Sequence, residues 1–303
     1  MSTRLLVTGS GGFVGGHVRA AVALGLFGDA ELLAWPAGAD LRDAAAVAEA
    51  LADARPTAVL HLAAQSFVPR AFEDPAETFA INVQGTVHLL AALRKTGFSG
   101  RFLYASSGDV YGRVDTAELP VGPERTPEPR NPYAASKVAA EQACLAFHRA
   151  EGLDALIARP FNHIGPGQDA RFVLPALARQ VVAIANGRQP ARIEVGDIDT
   201  TRDFLDVRDV VRAYAAMLAH GHAGATYVVA SGVERRIRDL LQQLCALAGI
   251  QPEIHQDPAK LRPAEQRRMA GDASTLRAHT GWQPAFDLDT TLSDILEHAR
   301  STA

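Results

Sequence analysis

Short apolar runs that alternate with longer amphipathic segments most limit how this 303-residue chain can fold. The runs are RLLVTG, ELLAW, AVLHLAA, RFLYASS and DALIARP. The segments between them carry apolar residues at three-to-four spacing and stop near glycine, which is typical of helices. Because the runs are almost wholly apolar, we expect strands that are buried on both faces. The pattern therefore predicts an α/β fold with a doubly wound parallel sheet.

The regularity weakens after the fifth run, where the loop FNHIGPGQDAR begins. The sequence then predicts a helix near Phe172–Asn186 and a strand near Ile193. FLDVRDVVRAYAAMLAHG and ATYVVAS return to the strand-and-helix pattern of the sheet, and the remaining tail is mostly helical. We expect a sheet domain and a smaller, mostly helical C-terminal lobe that binds substrate. Their predicted ranges are 1–160 plus about 204–232 for the first, and about 161–203 plus 233–303 for the second.

Composition excludes several classes of protein. The formal charge is −4 without a run of Lys or Arg, so no basic surface for nucleic acid is expected. No apolar stretch approaches the roughly 20 residues of a membrane helix, and MSTRLLVTG leads directly into a strand pattern. Cys144 and Cys245 are the only cysteines, too few for a disulfide framework. We therefore expect a cytoplasmic enzyme with neither a membrane nor a nucleic-acid partner.

The stretch VTGSGGFVGGH follows the first predicted strand and opens the first predicted helix. Gly9, Gly12 and Gly15 have the spacing at which glycines form a tight turn, admit a pyrophosphate and let the helix pack against the sheet. In this position the motif predicts a dinucleotide site. An acid or Arg at the end of the second strand would select NADH or NADPH. Asp40 and Arg42 come several residues later, so the sequence leaves that choice open.

Tyr133 and Lys137 stand four residues apart at the start of a predicted helix, so both project from one face. A phenol with a pKa of about 10 is a poor acid or base at neutral pH. A neighbouring ammonium lowers that pKa, which suits general acid–base catalysis, so we expect Lys137 to tune Tyr133.

The motifs TGSGGFVG, HLAAQ, INVQGT, SSGDVYG, NPYAASK and RPFNHIGPGQ occur in this order. Together they resemble the extended short-chain dehydrogenases/reductases that act on nucleotide sugars, which implies a Rossmann domain that binds NAD(P). The resemblance assigns Tyr133 as proton donor or acceptor, and Lys137 as its tuning cation and a ribose ligand. Ser107 would hydrogen-bond the reacting sugar oxygen, and Asn82 would support the catalytic cluster. We expect Ser106 to turn away from the site or toward the backbone, because strand residues alternate in direction.

The resemblance also implies the remaining contacts of the cofactor, NADPH or NADH. The cofactor-binding residues are predicted to be Gly9, Gly11, Gly12, Phe13, Val14, Gly15, Asp40, Leu41, Leu62, Ala63, Ala64, Asn82, Tyr133 and Lys137. In the family, helices like those predicted near 77–95 and 132–150 pair between two subunits. Both are rich in Ala and Leu here, so we expect a homodimer.

The second half contains EVGDIDTTRDFLDVRDVV and RPAEQRRMAGDASTLRAHTGWQP, which look like segments of the GDP-mannose 4,6-dehydratase subgroup. This resemblance implies a GDP-linked 4-keto-6-deoxyhexose as the partner. Its expected ligands are Ser107, Gly108 and Asp109 at the sugar, Asn162, Arg202 and Arg262 at the diphosphate, and Glu265 at the guanine or its ribose. We interpret Arg208, Arg235, Arg236 and Arg267 as surface ion-pair residues. His61, His163 and His220 lack metal-type partners at ligand spacing and are interpreted as structural.

One stretch departs from the dehydratase pattern. Sugar 4,6-dehydratases place a glutamate two residues before the Tyr-Gly pair, and some carry another acid one place earlier; this chain has Asp109 and Gly108. Misplacing a catalytic group by about 1 Å can cost roughly 100-fold in rate. The chain therefore resembles an enzyme that acts after the dehydratase, with hydride from NAD(P)H reducing the C4 ketone of GDP-4-dehydro-6-deoxy-D-mannose to GDP-D-rhamnose. The alternatives are reduction on the opposite face to a 6-deoxy-talose, 4,6-dehydration, and an NAD(P)-sensing binding protein.

Overall fold

A six-stranded parallel sheet lies at the centre of the molecule, in a computed structural model that describes residues 3–52, 54–258 and 266–302. Its strands are β1 (Arg4–Thr8), β2 (Glu31–Ala34), β3 (Ala58–His61), β4 (Arg101–Ala105), β5 (Asp154–Pro160) and β9 (Thr226–Val229). Their order across the sheet is β2-β1-β3-β4-β5-β9. The five apolar runs are thus β1 to β5, and the predicted doubly wound parallel sheet is confirmed.

Two layers of helices cover the large sheet, and further helices pack with the second group of elements described below. The helices are α1 (Phe13–Ala23), α2 (Ala44–Ala52), α3 (Val68–Glu73), α4 (Pro75–Phe79), α5 (Gly85–Lys95), α6 (Pro132–Glu151), α7 (Val173–Ala185), α8 (Val207–His220), α9 (Ile237–Ala248), α10 (Ser274–Thr280) and α11 (Leu288–Ser301). Apolar side chains of α1, α8 and α10 pack on one face of the sheet, and those of α2, α5 and α6 on the other. None of the helices within the described ranges combines the length and apolarity that crossing a membrane requires.

Helix α6 carries the predicted catalytic pair and has clear end signals. The Asn131 side chain accepts a hydrogen bond from the Ala134 backbone N–H at 2.7 Å, and Pro132 takes the first helical position. The helix ends at Gly152, whose φ of +72° lies in the left-handed region that glycine adopts readily. These local signals place Tyr133 and Lys137 in the first two turns.

A second group of elements packs beyond the C-terminal edge of the sheet. It contains β6 (Asn162–Ile164), β7 (Arg192–Val195), β8 (Thr201–Asp206), β10 (Glu234–Arg236) and β11 (Glu253–Gln256). They form a three-stranded sheet, β10-β8-β6, and a parallel pair, β11-β7. Helices α7, α9 and α11 share one apolar core with β6, β7, β8 and β11. The helix predicted near Phe172–Asn186 and the strand near Ile193 are confirmed as α7 and β7.

Strand β8 was expected to belong with the large sheet and does not. It pairs with β6 in parallel and with β10 in antiparallel fashion, whereas the following helix α8 packs on the large sheet. The buried Asp203 carboxylate fixes this position by accepting hydrogen bonds from the Ser231, Gly232 and Gly271 backbone N–H groups. The chain thus crosses between the two groups of elements within 201–207, and the division near residue 204 stays a prediction.

Candidate active site

The glycine-rich turn has the shape that a pyrophosphate requires. Gly9 has φ +72°, and a Cβ there would lie 2.8 Å from the Ala63 nitrogen. A Cβ on Gly15 would collide with the Gly9 carbonyl oxygen, whereas one on Gly11 would meet no atom within 4 Å. The turn is therefore closed on the sheet side and open at Gly11, next to the start of α1. No side chain caps the backbone N–H groups of that helix end, so these residues fit a dinucleotide phosphate.

A chain of buried hydrogen bonds links Thr8, His61 and Thr86 next to this turn. Thr8 Oγ1 lies 2.6 Å from His61 Nδ1, and His61 Nε2 lies 2.9 Å from Thr86 Oγ1. Thr8 Oγ1 also accepts a hydrogen bond from the Ala63 N–H at 3.2 Å. Burial, with a smaller contribution from the Lys137 charge, lowers the pKa of His61 to about 3. The neutral imidazole thus ties the ends of β1 and β3 together where Leu62, Ala63 and Ala64 begin.

The loop after β2 carries an ion pair at the point where the sequence left cofactor choice open. Asp40 Oδ2 lies 2.6 Å from an Arg42 guanidinium nitrogen, and this hydrogen bond lowers the pKa of Asp40. Leu41 between them is buried, and its carbonyl oxygen lies 3.0 Å from His88 Nδ1. Asp40 and Arg42 therefore form a half-exposed ion pair with each other, and the role of Asp40 in cofactor binding stays a prediction.

Ser107, Tyr133 and Lys137 converge at the end of β4. The Ser107 hydroxyl accepts a hydrogen bond from the Asp109 N–H at 3.1 Å and lies beside the Tyr133 phenol. Lys137 Nζ donates to the Ala105 carbonyl oxygen at 2.8 Å and lies 5.9 Å from the centre of the Tyr133 ring. Tyr133 and Lys137 are both buried. The structure thus brings the predicted catalytic trio together.

Burial governs the Tyr133 phenol in this structure, and its tuning by the Lys137 ammonium stays a prediction. Burial, together with the nearby Asp109 carboxylate, raises the pKa of Tyr133 and outweighs the opposing effect of Ser107. Burial lowers the pKa of Lys137 itself to about 8, although Glu141 opposes this. Tyr133 is therefore protonated at neutral pH, as a proton donor must be.

Asp109 and Arg202 form the charged part of the site. Burial raises the pKa of Asp109, and the Arg202 charge opposes that rise. Protein atoms surround Asp109, yet its side chain keeps solvent-accessible surface. Arg202 donates to the Thr201 carbonyl oxygen at 2.7 Å, and Asn162 is exposed at the start of β6. The interaction of its charge with Asp109 places Arg202 near the Asp109 side of the site.

Gly108 lies against an aromatic ring. A Cβ at this position would be 2.9 Å from Phe161 Cδ2 and 3.0 Å from Cε2. Phe161 is buried, and a Cβ on Gly271 would meet the same ring from another side at 2.8 Å. A side chain at position 108 would therefore require the Phe161 ring or the turn to shift.

Arg262 and Glu265 lie outside the residues that the structure describes. Of the arginines interpreted as ion-pair residues, Arg208 contacts Asp206 and Asp294, and Arg267 contacts Asp197. Arg235 and Arg236 have no carboxylate within 4 Å in the described ranges.

A large concavity among the described residues lies apart from the catalytic trio. It has a volume of about 1120 Å³ and is lined by residues that include Thr201, Glu234 and Arg236. These lie on the face of the three-stranded sheet opposite Arg202, because neighbouring strand residues point to opposite faces. This concavity shares no residue with the catalytic trio. The active site is therefore identified by its catalytic side chains and not by the size of a cavity.

Sequence reasoning missed a buried ionic cluster behind the catalytic turn. Ser106 turns away from the site as expected, but toward a side chain and not the backbone: its hydroxyl donates to Glu141 Oε1. Arg159 donates to both oxygens of Glu141, at 3.0 and 2.7 Å. A charged residue inside the apolar run DALIARP, and an acid four residues after Lys137, were the signals available in the sequence.

A Rossmann sheet with a glycine-rich turn and a Ser–Tyr–Lys trio defines a short-chain dehydrogenase/reductase. Residues 37–295 match the model of the GDP-mannose 4,6 dehydratase family, and the chain belongs to that family. The chain is 51% identical to GDP-6-deoxy-D-mannose reductase of Pseudomonas aeruginosa, over 98% of this chain and 97% of the relative. It is 33% identical to a dTDP-glucose 4,6-dehydratase of Xanthomonas campestris, over 96% and 92%. A solved structure of RMD from Pseudomonas aeruginosa in complex with NADPH superposes with a TM-score of 0.95 at 49% identity and covers 100% of both chains.

Proposed function

We propose that this protein reduces the C4 ketone of GDP-4-dehydro-6-deoxy-D-mannose with NADPH and forms GDP-D-rhamnose. The observation that carries the proposal is the 51% identity to a GDP-6-deoxy-D-mannose reductase across nearly the whole of both chains. The similar structure that holds NADPH supports the choice of cofactor. The open glycine turn and the protonated Tyr133 supply what such a reaction needs from the protein.

The residues of the site divide the work of reduction. NADPH, when bound, supplies the hydride that C4 accepts. Tyr133 donates its phenolic proton to the C4 oxygen, and Ser107 hydrogen-bonds that oxygen as negative charge develops on it. Lys137 holds the ribose and contributes positive charge beside the phenol. Asn162 and Arg202 hold the diphosphate together with Arg262, since a guanidinium binds phosphate oxygens in a bidentate manner. Glu265 contacts the guanine or its ribose.

Two features of the catalytic turn favour reduction over dehydration. The Asp109 side chain is one methylene shorter than the glutamate that dehydratases carry there, and misplacing a catalytic group by about 1 Å can cost roughly 100-fold in rate. An acid at position 108 would require the Phe161 ring, 2.9 Å from a Cβ at Gly108, or the turn to shift. The site thus keeps the proton donor for C4 and lacks the base for C5.

The experiment compares two substrates. The purified protein is incubated with NADPH and the 4-keto sugar, and the configuration of the product at C4 is determined by NMR. We expect GDP-D-rhamnose; a talose product would reverse the face of hydride attack. In parallel, GDP-mannose with NADP⁺ should give no 4-keto product. Dehydration at about 1 s⁻¹ or faster would make the protein a dehydratase, and binding of NADPH without turnover of either sugar would favour a sensing protein.

We also propose a homodimer that forms through α4–α6. Phe79, Val83 and Val87 follow one another at four-residue spacing along the continuous helical segment 75–95, and Phe79 and Val87 are 39% and 37% exposed. Ala135, Ala139 and Ala143 of α6 are partly exposed at the same four-residue spacing. Light scattering at micromolar concentration should give twice the chain mass, and Val87→Glu should give the monomer; a monomeric wild-type protein would refute the proposal. Both cysteines are free and buried, which suits the cytoplasm, where we place the protein.

A further inference from the structure

A buried ion pair lies directly behind the catalytic turn. Arg159 Nε and Nη2 donate to Glu141 Oε1 and Oε2 at 3.0 and 2.7 Å, and the two side chains are 6% and 0% exposed. The Glu141 carboxylate also accepts the Ser106 hydroxyl hydrogen bond. Arg159 Nη1 donates to the Tyr111 hydroxyl at 3.1 Å and to the Pro123 carbonyl oxygen at 3.3 Å. The pair therefore joins four parts of the chain: α6, β5, the end of β4 and the loop after the catalytic turn.

The positions of these contacts along the chain bracket the catalytic residues. Glu141 lies one helical turn after Lys137 and two turns after Tyr133, on the same face of α6. Its partner Ser106 immediately precedes Ser107. Tyr111 closes the short helical turn, Gly108–Tyr111, that follows Ser107. The turn that carries Ser107 is thus held at both ends by one ion pair that is rooted in the helix of Tyr133.

We propose that Glu141 and Arg159 are positioning residues that set the separation of Ser107 from Tyr133 and so the rate of the chemical step. This role rests on the proposed reductase function. The Glu141 carboxylate is fully enclosed, and the Arg159 guanidinium is occupied by Glu141, the Tyr111 hydroxyl and the Pro123 carbonyl oxygen, so we expect neither residue to contact substrate. They act through Ser106 and Tyr111, the two neighbours of the catalytic turn.

Electrostatics indicates that this pair is not kept chiefly for stability. Removing two charges from water costs about as much as their mutual attraction returns, so apolar replacements of both partners are often neutral for folding. Removing one partner leaves an unpaired buried charge and destabilises strongly. Positioning instead requires both partners, because Glu141 reaches the strand end and Arg159 reaches the far end of the turn. The two roles therefore respond differently to single and double substitution.

The experiment uses that difference in the full-length protein with NADPH and the 4-keto sugar. Glu141→Gln should lower the Tm by roughly 5 to 15 °C and kcat by about 10- to 100-fold. The double variant Glu141→Leu/Arg159→Met should recover most of the Tm but not kcat. Dissociation constants for NADPH, measured by fluorescence, should change less than about threefold in both variants, because the glycine turn is untouched. The loss then falls on kcat and not on cofactor binding.

Two further variants sharpen the result. Ser106→Ala keeps the ion pair intact and should fold normally, yet lower kcat by about tenfold, since it frees the strand end. Glu151→Gln is the matched control: it removes an ion pair of the same helix, to Arg94 at 2.9 Å on the surface, and should leave kcat and Tm unchanged.

Recovery of both Tm and kcat in the double variant would overturn the positioning role and leave a purely structural pair. Wild-type kcat in Ser106→Ala would overturn it as well. If the wild-type protein itself shows no turnover, the proposed function is wrong and the positioning role fails with it. This outcome differs from the other two, in which the wild-type protein is active and only the variants decide.

Discussion

Tyr133→Phe tests the proton donor most directly. The substitution removes one hydroxyl and leaves the buried ring in place. Proton transfer by a positioned side chain is typically worth about 10²- to 10⁴-fold, which corresponds to about 3 to 5 kcal/mol of transition-state stabilisation. The cost to folding is far smaller, because one neutral hydrogen bond contributes about 1 kcal/mol, and the phenol no longer has to be desolvated. We therefore expect kcat to fall by at least 100-fold while the Tm moves by only a few degrees.

The assay follows the loss of NADPH absorbance at saturating 4-keto sugar. Binding of NADPH should be nearly unchanged, because Lys137 remains hydrogen-bonded to the Ala105 carbonyl oxygen and the glycine turn is intact. Tyr227→Phe is the matched control. Its hydroxyl accepts from the His222 N–H at 2.9 Å and lies 2.9 Å from His279 Nδ1, on the edge strand of the sheet. That variant should lose stability and keep its kcat. If Tyr133→Phe retains more than about a tenth of kcat, Tyr133 is not the proton donor.

Three other predictions address the rest of the site. Ser107→Ala should lower kcat by about 100-fold and Asp109→Asn by much less; equal losses in steady-state assays would mean that Asp109 acts on the reacting oxygen. Because the pKa of Lys137 is about 8 in the folded protein and 10.5 in a free side chain, kcat/KM should fall as pH rises through 8, and Lys137→Arg should remove that fall. Between pH 8 and 10.5 Lys137 is protonated in the unfolded chain and largely neutral in the folded one, so this group raises the free energy of unfolding as pH rises through that range. If Lys137→Met shows the same pH dependence of the free energy of unfolding as the wild-type protein in denaturant titrations, this prediction is wrong. Gly9→Ala should weaken NADPH binding by about tenfold or more, because its Cβ would collide with the Ala63 backbone. Gly25→Ala has a similar φ of +75° but open space around it, and should leave the dissociation constant for NADPH unchanged.

The amino-acid sequence determined the parts of this protein that depend on neighbouring residues. Strand and helix periodicity is local, so the five apolar runs and the helices between them were predictable. The glycine turn follows from backbone conformations that only glycine adopts easily, at Gly9 above all. The pairing of Tyr133 with Lys137 follows from the helical repeat, given the Asn131–Pro132 start of α6.

The tertiary structure decided the properties that depend on distant residues and on burial. Ser106 finds its partner Glu141 35 positions away on α6, and Glu141 finds Arg159 18 positions away on β5. Strand β8 joins the smaller sheet because Asp203 finds its donors at Ser231, Gly232 and Gly271, which no local pattern indicates. The electrostatic environment of Tyr133 was not predictable from the sequence for the same reason. A pKa reflects the desolvation by every atom packed around the phenol, and that packing exists only once the chain has folded.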